Sequence, residues 1–397
     1  MSLRNLRRVG IGMVVSGVCL YFVLRGVDWG QVWVHLSEVD LLMFTFSMLL
    51  MLVAYFLMSW RWHHLITPLN VTHTSASSAS HAPSETPPEV LSFSVDSTQT
   101  RPGSAAPGVS LLNLYGKMMT GYFFNAFFPA RGGDLVRAYL LSRRTGLRKT
   151  TVLATIVIEK ALDGMALLVM LLTALLLLPP TGNRAEDLIA PDALAWIAGL
   201  GLITAFGGMA LFYLHSDRLA RLLERIMGKL PLPVRLQRLP VRLVETFAGG
   251  MHVFRSPNPL FKSALISLLV WVVVALMFSA ALASFRSPFP PELTGVAGLM
   301  LATGLVNLGL LVPALPGNVG TYEALVVAVM AFFRVDKELA VAFALVFHIG
   351  QLVTTLAVGI VAFWTQNLSL AEIDKVERAA EQDAESALMA DSAPLIK

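Results

Sequence analysis

Long apolar runs separated by short polar stretches set the pattern of this chain. Windows at 9–24, 41–60, 152–178, 193–214, 264–285, 293–312 and 339–364 each come close to the length that crosses a bilayer as a helix, about 20 mostly apolar residues. Inside these seven windows the only formal charges are Glu159, Lys160 and Asp163. An eighth run, 321–333, is short and reads as a half-span or as a span that borrows its flanks. The window 110–128 is long enough, but Asn113, Lys117, Thr120 and Asn125 interrupt it. That predicts a re-entrant or interfacial hairpin, because lipid-facing helices do not carry so many polar groups. No stretch alternates apolar and polar residues as a membrane β-strand does. The predicted fold is therefore all-α: a polytopic membrane bundle of about eight membrane segments with re-entrant hairpins.

Composition agrees and narrows the classes. Of 397 residues, 55% are hydrophobic and 14% charged, against about 25% charged in soluble domains. Mean hydropathy is +0.67. The single cysteine, Cys19, excludes an internal disulfide and a cysteine-based metal cage. No Walker A motif, His/Cys metal spacing, Gly-x-Ser-x-Gly or dinucleotide fingerprint is present, so neither cofactor nor metal is predicted. The basic stretches flank membrane windows and lack interleaved aromatics, which argues against nucleic acid as a partner. The sequence specifies no oligomeric state.

The distribution of charge predicts sidedness. The N-terminus carries Arg4, Arg7 and Arg8, segment 131–149 carries six basic residues, and segment 215–262 carries nine. The alternate loops 25–40, 179–192 and 286–292 are poor in them. This places the N-terminus and both basic segments in the cytoplasm. With 110–128 re-entrant, the C-terminus falls there too, a step that 321–333 decides. Residues 1–24 read as an uncleaved signal anchor, since no small-x-small cleavage site follows. Four regions result: 1–69, the first two membrane helices; 70–108, a Ser/Thr/Pro-rich insertion expected to be a disordered cytoplasmic loop; 109–366, the membrane core; and 367–397, an acidic tail. Within the core, Arg218, Arg221 and Arg225 share one face of a basic amphipathic element opposite Leu222 and Ile226. It is either an interfacial helix that favours anionic headgroups or a positive-inside anchor.

Three groups of residues can carry chemistry. In the first, Asn125 is followed by a break at Pro129, then Arg131, Gly132, Gly133, Asp134 and Arg137. Asp134 is a good N-cap for a helix starting at Leu135. Free N–H groups at Gly132 and Gly133, together with Arg131 and Arg137, would make an anion site suited to a lipid phosphate. The competing reading is an ordinary capped loop. In the second, Asn307 precedes Pro316, Gly317, Gly320 and Glu323, with Thr321 as the cap. Two such Pro/Gly-interrupted segments point to a transporter whose substrate lies where the broken helices meet, unless the likeness is chance. In the third, Glu159 and Asp163 lie four apart on one helix face beside Lys160. Charges at mid-bilayer cost about 2.5–3.5 kcal/mol each on insertion scales. The two acids must therefore pair with Lys160, Arg131 or Arg137, or one must be protonated. Such a group is either a gate or headgroup contact, or a structural ion-pair network. His348 in the last span reads as a buried, hydrogen-bonded histidine.

Taken together and in this order, Asn125-x3-Pro129-x2-Gly132-Gly133-Asp134-x2-Arg137, Glu159-Lys160-x2-Asp163 and Pro316-Gly317-x2-Gly320-x2-Glu323 resemble the lysylphosphatidylglycerol synthase transmembrane-region family, also called flippase-like domain proteins. The resemblance covers roughly residues 10–365. It implies a helical membrane domain with re-entrant segments that binds and translocates an anionic or modified lipid in a bacterial cytoplasmic membrane. It also implies substrate binding through the motif residues and an accompanying lipid-synthesis enzyme as partner. Three departures stand out: Lys160 replaces the arginine common in the family, the 70–108 insertion has no counterpart, and the chain ends soon after its last span. The soluble aminoacyl-transfer domain is thus expected to be absent, so synthase activity does not carry over and no catalytic residue is assigned. The alternatives are a membrane enzyme on a lipid-linked substrate, with Glu159 or Asp163 as general base, and an accessory subunit of a lipid-synthesis complex.

Overall fold

A computed structural model describes residues 16–79, 109–127, 132–147, 149–177, 257–310 and 316–366, with a few isolated positions elsewhere. After a helical stretch at 16–24, the described helices are α1 (Trp29–Ser37), α2 (Leu41–Ala79), α3 (Leu111–Phe127), α4 (Gly133–Thr145) and α5 (Lys149–Leu177). They continue with α6 (Pro257–Ala283), the short α7 (Pro291–Thr294), α8 (Val296–Gly309), α9 (Thr321–Phe332) and α10 (Lys337–Thr365). No strand occurs among the described residues. The all-helical membrane bundle expected from the apolar pattern is what forms, because in lipid each helix satisfies its own backbone.

Among the described residues, four helical stretches are long and apolar enough to cross a membrane: Leu41–Thr67, Thr151–Leu177, Asn258–Ala283 and Lys337–Thr365. They correspond to four of the seven windows. The window 293–312 does not form a full span. Its helix α8 has 14 residues, about 21 Å long, against a core of about 30 Å. The first long span also runs beyond its window: α2 continues past Trp60, so Arg61 lies inside the apolar stretch. It then extends to Ala79, ten residues into the segment read as a disordered insertion; 80–108 lie outside the described residues. So do most of 193–214, most of 215–255 and the acidic tail. Arg218, Arg221 and Arg225 are described as helical and exposed.

The bundle has two ends. At one, α1, Asp40 and the turn after α6 come together: the Asp40 N–H donates to the Ser284 carbonyl at 2.7 Å, and His35 Nδ1 meets Ser287 Oγ at 3.0 Å. Asp28 starts α1 there by accepting from the N–H of Gly30 at 2.8 Å. Phe278, Phe285, Phe289, Phe343 and Phe347 pack edge-on or tilted beside them, tying α6 to α10. At the other end lie the start of α3, the turn from α4 to α5 and the last turn of α10, where Gln366 donates to Thr120 at 3.1 Å. Between them α2 packs along α6, with Ser47 donating to the Met277 carbonyl at 2.7 Å.

Two helical hairpins enter this bundle from opposite ends. The α3–α4 hairpin enters from the α4/α5 end, and the α8–α9 hairpin from the aromatic end. Their tips meet at mid-depth: a Cβ on Gly317 would lie 3.6 Å from the Ala126 carbonyl. Gly359 lets α10 close onto α3, since a Cβ there would stand 2.5 Å from the Phe123 Cβ.

Candidate functional site

The first hairpin is fastened by glycine contacts. A Cβ on Gly133 would fall 1.8 Å from the Gly121 carbonyl, so the backbones of α3 and α4 touch. Asn125 spans the tip, its side-chain oxygen accepting from the Gly133 N–H at 2.9 Å. The helix begins at Gly133 with Gly132 as N-cap, two residues earlier than expected, so Asp134 is a first-turn residue and not the cap. The predicted anion site at this turn is not assembled as anticipated. The Gly133 N–H is already used, and Arg137 turns inward, fully buried. Pro129 and Arg131 lie outside the described residues.

Arg137 runs over Gly121, where any Cβ would meet its stem at 2.4 Å. Its guanidinium forks onto Glu159, with Nη2 to Oε2 at 2.9 Å and Nη1 to Oε1 at 3.4 Å. Asp134 Oδ1 lies 3.6 Å from Nη1. The Trp62 ring covers the guanidinium at 4.3 Å and is held by its own N–H to Thr155 at 3.1 Å. Arg61 completes the cluster from α2. It donates to both Asp163 oxygens, at 3.0 Å from Nη2 and through a shorter contact from Nη1, and to Ser267 at 2.7 Å. Its Nη2 also lies 3.4 Å from Glu159. Arg61, Arg137 and Glu159 are completely buried, while Asp163 is 16% and Asp134 22% exposed. Two arginines face Glu159 and Asp163, with the partly exposed Asp134 a third acid at the edge, so each buried charge has an opposite partner, which is how ionised groups persist in an apolar bundle. The groups it offers outward are therefore carboxylates.

Lys160 is exposed and stands away from this cluster; one residue on from Glu159 is about 100° round the helix. The partner of Asp163 is Arg61, which the sequence reading missed because the window 41–60 stops one residue short. Its signal was available: two intramembrane acids need two cations, and Arg61 directly extends an apolar run.

The second tip carries a different set. The chain turns through Gly317 (φ +68), Asn318 (φ +56) and Gly320 (φ +84). A Cβ on Gly320 would meet the Ser16 carbonyl at 2.6 Å, so the helical stretch at 16–24, the first helix of the chain, packs directly against this turn. Helix α9 is capped by Gly320, not Thr321; Glu323 reaches back to accept from the Gly320 N–H at 2.7 Å, and the buried Thr321 hydroxyl has no partner. The other Glu323 oxygen meets His348 Nδ1 at 2.7 Å, and His348 Nε2 meets the Gly317 carbonyl at 2.9 Å. Both ring nitrogens thus face oxygens, and each of the two bridges requires a proton. Tyr322 stacks on the ring at 4.4 Å and accepts from Gln351 at 2.8 Å. The expected buried histidine is present, and its partner is one of the predicted site acids. Asn307 donates within its own helix to Thr303 at 2.8 Å, so it is no counterpart of Asn125. The structure therefore gathers Asn125, Gly133, Asp134, Arg137, Glu159 and Asp163 around one tip, and Pro316, Gly317, Gly320 and Glu323 at the other.

Among the described residues, four spans, two opposed hairpins and a buried cluster of paired charges define a multi-pass helical membrane protein with a polar interior. The chain matches the family described as lysylphosphatidylglycerol synthase TM region over residues 9–359. It belongs to that family. It is similar to a protein named Glycosyltransferase AglD from Haloferax volcanii, with 27% identity over 301 residues, 69% of this chain and 47% of that relative. The chain thus spans about half the length of that relative. It is also similar to a UPF0104 membrane protein from Methanothermobacter thermautotrophicus, 21% identical over 278 residues, 66% of this chain and 79% of that one. No solved structure matches the chain.

Proposed function

We propose that this protein binds a membrane lipid and carries its polar headgroup across the bilayer, in a bacterial cytoplasmic membrane with the N-terminus in the cytoplasm. The observation that carries this reading is the meeting of two hairpin tips at mid-depth, each flanked by buried ionised or hydrogen-bonded groups. Broken helices that approach from opposite ends are how transporters place polar contacts where lipid offers none. Arg61 and Arg137 set up the cluster, and the outward carboxylate of Asp163 is the group that meets an amine or hydroxyl of the headgroup. This revises the assignment of Arg137 as a direct phosphate ligand.

A second reading, a membrane component of lipid-linked glycosyl transfer, draws on the name of the Haloferax relative. The enzyme form with Glu159 as general base is disfavoured, because two arginines already hold that carboxylate and a base needs a free lone pair. Fluorescent phosphatidylglycerol in reconstituted vesicles, read by quenching of the outer leaflet, tests the main reading. Wild-type protein is expected to expose both leaflets, and Asp163→Asn to slow exposure roughly tenfold or more. Exposure in wild-type vesicles equal to that in protein-free vesicles would sink it.

A further inference from the structure

The end of the bundle where α3 begins and α4 ends holds no carboxylate among the described residues. Asp28, Glu38, Asp40, Glu292, Asp336 and Glu338 lie at the opposite end, and Asp134, Glu159, Asp163 and Glu323 lie further inside the bundle, with Glu159 about two turns into its span. Lys117 sits two turns into α3 from the acid-free end and is 3% exposed. Its ammonium donates to the Asn113 side-chain oxygen at 2.5 Å, and that neutral amide is its partner among the described residues. Arg61 and Arg137 are buried against acids. Lys117 is buried against none among the described residues, and its ammonium has a neutral amide where those arginines have carboxylates. Among the described residues, the charged group that acts on it is Arg144, a like charge. Arg144, at the end of α4, is exposed, and Asn113 is partly so, which leaves the pair an approach from that end.

An ammonium held in the interior near a second cation, with no acid beside it among the described residues, is suited to an anion. Basic pockets between membrane helices bind lipid headgroups in this way. We propose that Lys117, Asn113 and Arg144 form a binding site for a phosphate-type anion, namely the phosphate of a lipid headgroup at this end of the bundle. The site deepens the lipid reading by placing the anionic part of the lipid, and it does not depend on translocation.

The full chain in detergent is titrated with dioleoylphosphatidylglycerol and, separately, dioleoylphosphatidylcholine, and bound lipid is counted by native mass spectrometry. Wild type is expected to prefer the anionic lipid, Lys117→Met to lose roughly tenfold or more of that preference, and Lys117→Arg to keep most of it. A parallel arm follows thermal unfolding with inorganic phosphate alone. Protection of wild type but not of Lys117→Met, without lipid selection, would support the site and assign it to free phosphate. Equal lipid preference in wild type and Lys117→Met, with no phosphate effect, overturns the proposal. Should Lys117→Met fail to fold, the exposed Arg144→Gln takes its place: it is expected to lose part of the preference, and an unchanged preference overturns the proposal. Loss of flipping with this preference intact would remove the translocation reading and leave the site standing.

Discussion

Arg137 illustrates how one side chain depends on several unlike neighbours. Gly121 leaves room for its stem, Trp62 covers its face and Glu159 takes its charge. Removing one partner of a buried pair strands the other, typically at about 3–5 kcal/mol, whereas replacing both by apolar residues is often neutral. Arg137→Ala and Glu159→Gln are each expected to lower the thermal unfolding midpoint in detergent sharply. Arg137→Met combined with Glu159→Met should recover much of the loss, because Arg61 still has Asp163. A double variant as unstable as the sum of the singles would show that the pair is not coupled as the geometry requires. The sequence revealed the acids of this cluster through their rarity in apolar windows. It named Lys160, Arg131 and Arg137 as candidate cations, and Arg137 does meet Glu159. Helix geometry turns Lys160 away, and the cation it did not name, Arg61, comes from a helix about 100 residues distant in sequence.

At the scale of elements, the turns decide more than the helices. Apolar runs reported the four long spans, since length and composition suffice for a helix in lipid. Whether a run crosses or turns back depends on what receives its end, as with α8, and that is a tertiary fact. Both Pro/Gly breaks were legible, but their caps were not: Thr and Asp are the usual choices, while here glycines occupy the cap positions under close packing. Gly320 and Gly317 both have positive φ, but only at Gly320 would a Cβ strike backbone, at the Ser16 carbonyl. Gly317→Ala is thus expected to cost only the backbone strain, about 1–2 kcal/mol, and Gly320→Ala distinctly more. Unfolding midpoints of the two variants check the order, and a reversed order would mean that the first helix does not rest on this tip.

For the whole molecule, the sorting of charge seen along the chain becomes a polarity of the bundle. Among the described residues, the end where α3 begins carries Lys149 and Lys262, and the opposite end carries Asp28, Glu38, Asp40 and Glu292. In a Cys19→Ser background, Thr145→Cys and Ser287→Cys are expected to react with an impermeant thiol reagent from opposite faces, Thr145→Cys from the cytoplasm. Labelling of both from one face would overturn the topology.

The two tips have an electrical consequence as well. A transmembrane voltage does about 2.3 kcal/mol of work per elementary charge for each 100 mV crossed. Under the proposed function a lipid phosphate would pass the contact of the two turns, Ala126 against Gly317, and move through that field. With the cytoplasm negative, the field itself would drive it outward, so the direction of lipid movement would be set by the cell's membrane potential without any nucleotide.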